Sequence, residues 1–73
     1  MTATWSPDLA ALDTDPAYHR DIARWLEVHG LDGFKVLALL VDDDRWVHAV
    51  TRTNDGRDVV RVVTALEAPP PMP

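Results

Sequence analysis

The chain contains no cysteine. Neither a disulfide nor a thiolate zinc site can therefore brace it. Lysine is almost absent, with Lys35 alone, while Arg, Asp, Val and Ala abound; such a bias is the mark of a GC-rich genome. There are three glycines, and they stand apart at positions 30, 33 and 56, so no glycine-rich phosphate loop exists. Ser6 is the sole serine and lies near the start, where capping a helical turn suits it better than nucleophilic catalysis. Long apolar runs are missing too. The longest is Val36–Val41, far short of the roughly 20 residues of a membrane-crossing helix. No basic segment followed by an apolar stretch opens the chain, so a signal peptide is not expected and a cytoplasmic protein is.

The 73 residues suit one domain, and hydrophobic residues make up an ordinary 47% of them. A domain this small buries only about 60% of the surface that its unfolded chain exposes, so good packing or association must supply its stability. The net charge is −5 and uneven. Residues 1–44 carry three basic against nine acidic side chains, −6, and residues 45–73 carry four against three, +1. An anionic total opposes dedicated nucleic-acid binding, which draws its affinity from neutralising phosphates.

Three regions follow from the pattern: an arm at 1–14, an α+β domain at 15–67 and a proline-rich tail at 68–73. In the arm, Ser6 can cap a turn with Pro7 first, and Leu9 and Leu12 can dock. Asp15 then caps a helix over about 16–29 with Pro16 at its first position. Its apolar stripe is Tyr18, Ile22, Trp25, Leu26 and His29. Gly30 fits the left-handed residue after the helix, and Leu31 the closing contact. Three strands complete an αβββ antiparallel meander: Phe34–Val41, Trp46–Thr53 and Val59–Leu66. The tail, Ala-Pro-Pro-Pro-Met-Pro, reads as extended and free.

Two-residue turns at Asp43-Asp44 and at Asp55-Gly56, the latter of type I′, set an expected register. Val36, Ala38, Leu40, Val47, Ala49, Thr51, Val60, Val62 and Thr64 then meet the helix. Lys35, Leu37, Leu39, Val41, Trp46, His48, Val50, Arg52, Val59, Arg61 and Val63 share the other face. A one-residue slip at either turn exchanges the faces. The other face is too apolar for water, and the arm can cover only part of it. Leu37, Leu39, Trp46, His48, Val50, Arg52 and Arg61 are thus the candidate partner-binding residues.

The stretch Trp25-Leu26-Glu27-Val28-His29-Gly30-Leu31-Asp32, strands split by Asp55-Gly56-Arg57, and the valine-rich strand closed by Pro69-Pro70-Pro71 resemble a group of small proteins from actinobacteria and their phages. The resemblance covers residues 16–71. It implies a phage or prophage accessory origin and carries over no activity.

The expected function is a non-enzymatic protein–protein interaction module, most simply a homodimer. The alternative is a nucleic-acid module in which Trp46 and His48 stack bases while Lys35, Arg52 and Arg61 hold phosphates. No cofactor, metal or membrane is expected as a partner. His19 and His29 are too far apart on one helix to share a metal, and His48 is on a strand. Asp42-Asp43-Asp44 lacks the alternate spacing, the glycine and the distal Glu of a calcium loop, and reads as a solvated turn. The melting temperature is accordingly expected to stay unchanged on adding Ca²⁺, Mg²⁺ or Zn²⁺; a rise of several degrees that chelator reverses is the contrary result.

Overall fold

A computed structural model describes residues 3–73. The protein is α+β, with an antiparallel sheet and two helices on one side of it. The order along the chain is β1 (Ala3–Trp5), α1 (Leu9–Thr14), α2 (Pro16–Val28), β2 (Val36–Asp42), β3 (Trp46–Arg52) and β4 (Val59–Ala65). The strands lie in that same order in one sheet. The meander thus has four strands rather than the three expected. The extra strand comes from the arm: Ala3 pairs with Asp42, Trp5 with Val41, and Thr4 Oγ1 donates to the carbonyls of Val41 and Asp42.

Both helices begin on aspartate. Asp8, not Ser6, caps α1, its carboxylate accepting from Ala11 N–H at 3.1 Å. Asp15 ends α1 and starts α2, accepting from the N–H groups of Ala17 and Tyr18. Helix α2 closes as its sequence implies. Gly30 takes φ +73°, Leu31 N–H donates to Leu26 C=O, and Gly30 N–H donates to Glu27 C=O. Those two bonds satisfy carbonyls that the helix end leaves free, and they bring buried Leu31 onto buried Leu26.

The core joins Tyr18, Ile22, Trp25, Leu26 and Leu31 to Val41, Val47 and Ala49 of the sheet. Trp25 gathers the two ends of the chain on it. Trp5 packs against its ring at 5.5 Å, tilted, and its Nε1–H donates to Ala68 C=O at 2.9 Å. His29 adds a second clasp. Its Nε2 accepts from Glu67 N–H, so its proton sits on Nδ1 and is donated to Trp25 C=O at 2.8 Å. The start of the proline-rich segment is therefore held on α2, not free.

The faces of β3 and β4 are as expected, but much of β2 is turned over. The β2–β3 turn has three residues, Asp43, Asp44 and Arg45, because Val41 pairs with Val47. Arg45 occupies the left-handed region at φ 67°, the usual way for a three-residue hairpin to close. This slip sends Val41 and Leu39 to the helices and Leu40 and Ala38 to the outer face, opposite to expectation. A bulge between Val36 and Ala38, at Leu37, then restores Val36 to the inner side. At the second hairpin the register Arg52↔Val59 matches the expected one, but the turn is not type I′. Only Gly56 has positive φ there, and Gly56 N–H donates to Thr53 C=O.

Trp25→Ala is expected to destabilise the fold by about 3–5 kcal/mol, enough to unfold so small a domain. Thermal melting by circular dichroism checks it, and an unchanged midpoint would remove Trp25 from the core.

Candidate functional site

Both helices lie on the inner side of the sheet, since α1 packs on α2, and Trp5 of β1 turns its ring to that side, against Trp25. The outer face consequently has no layer over it among the described residues. The register aligns Leu40, His48 and Val63 across the sheet, then Ala38, Val50 and Arg61, then Arg52 and Val59. Trp46 and Ala65 complete the row nearest the β2–β3 turn. Trp46 is 46% exposed and Val63 49%, while Leu40 and Val50 between them are half-buried.

Of the residues expected at a partner surface, the structure brings Trp46, His48, Val50, Arg52 and Arg61 together on this face. Leu37 sits half-exposed in the bulge at the edge of β2. Leu39 does not join them: it pairs with buried Ala49 and packs against the core. Ala38 and Leu40, expected inside, stand on the outer face in its place.

A polar chain crosses the middle of this surface. Asp42 Oδ2 accepts from His48 Nε2 at 2.7 Å, and His48 Nδ1 accepts from the Arg61 guanidinium at 3.0 Å. The two contacts fix the tautomer with the proton on Nε2. Asp42 has a second task at the turn, where its Oδ1 accepts from the N–H groups of Asp44 and Trp46. The Trp46 amide and then the His48 ring, followed by the Asp44 amide, hold the Asp42 carboxyl below its ordinary value of 3.8. Asp42 is thus a buried hairpin staple, which the run of three aspartates does not reveal.

An Asp–His pair invites comparison with acid–base catalysis. Here the chain ends on a guanidinium, which only donates, and not on a hydroxyl or thiol that His48 could activate. The arrangement ties together three strands, β2, β3 and β4, and the β2–β3 turn. Lys35 is similarly engaged, by Asn54 Oδ1 and by Asp32 at 3.9 Å. A groove of 1020 Å³ lies elsewhere, between the helices and β2, lined by Leu12, Ile22, Leu26, Phe34 and Val36.

No family model, curated protein or solved structure matches this chain.

Because the Asp42 carboxyl is lowered by folding, its contribution is complete above its ordinary value of 3.8 and is lost as pH falls through the folded-state value. Asp42→Asn is expected to flatten this acid limb of stability, measured as urea midpoint against pH below about 4. Asp55 is lowered as well, chiefly by the Thr53 hydroxyl and then the Arg57 amide, so Asp55→Asn makes the comparison. An acid limb untouched by Asp42→Asn would contradict the assignment.

Proposed function

We propose that this chain is a non-enzymatic protein–protein interaction module, an accessory protein of phage or prophage type, whose outer sheet face binds another protein chain. The observation that carries this reading is the uncovered outer face. Its aliphatic residues Leu40, Val50 and Val63 flank the Asp42–His48–Arg61 chain, and Trp46 and Arg52 stand towards its two ends. Aromatic and arginine side chains among aliphatic ones are the composition of protein contact surfaces. The phosphate-binding alternative is weaker on this geometry. Arg61 is engaged by His48, Lys35 by Asp32 and Asn54, and Asp42 shares the face.

The experiment pairs wild type with Val50→Asp, which sets a carboxylate at the centre of the face without touching the core. Both are immobilised in extract of the native host, and the bound proteins are compared by quantitative mass spectrometry. Circular dichroism serves as the folding control. A protein retained by wild type and depleted about tenfold or more on folded Val50→Asp is the expected result, equal to about 1.4 kcal/mol. Retention unaffected by the substitution removes the face as the binding surface. An anisotropy titration with mixed oligonucleotides at low salt tests the alternative. Saturable binding that Arg52→Ala and Arg61→Ala weaken would favour it.

A further inference from the structure

The sheet has a second unpaired element, separate from its outer face. Strand β4 is the last in the order, and no strand lies beyond it among the described residues. It is a seven-residue strand, Val59-Val60-Arg61-Val62-Val63-Thr64-Ala65, without proline, glycine or acidic residue. Its pairing with β3 runs unbroken from Trp46↔Ala65 to Arg52↔Val59. Proteins usually blunt such an edge with a bulge, a proline or inward charges, and β4 has none of these.

The alternation of backbone direction identifies the free groups. Thr53 N–H donates to Asp58 C=O at one end of the ladder, and Leu66 N–H to Arg45 C=O at the other. Even-numbered residues of β4 therefore address β3. Val59, Arg61, Val63 and Ala65 turn both N–H and C=O to the open edge. Val59 is 58% exposed, and Val60, although on the helix side, is 46% exposed because α2 does not reach it.

We propose that β4 pairs antiparallel with β4 of a second copy about a two-fold axis at Val62, joining two sheets into one of eight strands. This register is self-complementary. Val59 lies opposite Ala65 of the partner and Arg61 opposite Val63, so all four outward residues on each side exchange hydrogen bonds. Val62 faces its own copy and Val60 faces Thr64, which covers apolar surface left open in one chain. The single charge of the strand meets an aliphatic residue. Moving the axis to Arg61 would set two guanidinium groups directly opposite, which disfavours that register. The charge distribution also selects this edge for self-contact. Two copies of a chain with net charge −5 repel, yet no carboxylate lies on β4, and residues 45–73 carry +1 against −6 for residues 1–44.

The inference is independent of the outer face, which stays free in the pair and is doubled in extent. The test uses proline where it removes only an outward amide. Val63→Pro deletes one edge N–H and leaves the β3 ladder whole, a position at which edge strands accept proline. Light scattering at high micromolar concentration should give the mass of two chains for wild type and for Val50→Asp, and of one chain for Val63→Pro. Amide exchange by NMR should slow at Val59, Arg61, Val63 and Ala65 as wild-type concentration rises. That readout stands even if Val63→Pro fails to fold. A monomeric wild type overturns the proposal, as does a dimer that folded Val63→Pro retains, or four edge amides whose exchange ignores concentration. A dimer lost in Val50→Asp but kept in Val63→Pro also overturns it, and would place self-association on the outer face.

Discussion

The indole of Trp25 is the point at which three separate stretches of the chain become one core. Its ring meets Trp5 from the N-terminal strand and His29 one helical turn on, and its N–H holds the carbonyl of Ala68. A domain of this size has little apolar area to spare. Tying both ends of the chain to one buried side chain recruits residues outside the helix-and-meander unit into the core. Trp5 and Ala68 pack there, as do Leu12 and Leu66. His29 serves the same end. Its two ring nitrogens satisfy one helix carbonyl and one tail amide, so a polar group is buried without an orphaned donor or acceptor.

The sequence made some of this legible for identifiable reasons. The helix stripe is periodic and its ends carry Asp15-Pro16 and Gly30-Leu31, local signals that no tertiary contact contradicts. The Asn54-Asp55-Gly56 turn set the β3–β4 register correctly even though its conformation differs, because the number of intervening residues governs pairing. The β1 strand was not legible. Ala3-Thr4-Trp5 is too short for its alternation to signal a strand, and the end of β2 offers it an edge to pair with.

The inversion of β2 has a sharper lesson. Val36-Leu37-Ala38-Leu39-Leu40-Val41 is apolar throughout, so its composition does not choose a face. The choice falls to the turn, and the turn depends on whether Arg45 adopts a left-handed conformation, which arginine seldom signals. Asp42 supplies the missing cause. Its carboxylate binds the amides of Asp44 and Trp46 and also reaches His48. One side chain thereby favours the three-residue turn and anchors it to the sheet. The same turn sends Leu39 to the core beside Ala49 and away from the outer face. Trp46, His48, Val50, Arg52 and Arg61 share a face because the length of the β3–β4 turn fixes their register.

Among the described residues the sheet is open on two sides, its outer face and the edge of β4. A helix is about 10 Å across, whereas four strands at about 4.8 Å spacing place their outermost axes about 14 Å apart. Helix α2 therefore shields the middle of the sheet and not its whole width. Val47 and Ala49 on β3 are fully buried beneath it, whereas Val62 on β4 is half-buried and Val60 is exposed. The N-terminal segment completes the cover at the β1–β2 end, through Trp5 and α1. At the β4 end, Leu66 and Ala68 give partial cover, and the chain there is bonded to α2 through Glu67 N–H and Ala68 C=O. What remains among the described residues is an edge of outward peptide groups on β4 and a face on which Leu40, Val50 and Val63 flank a polar chain. The register thus separates an edge from a face that composition alone merges into one apolar sheet.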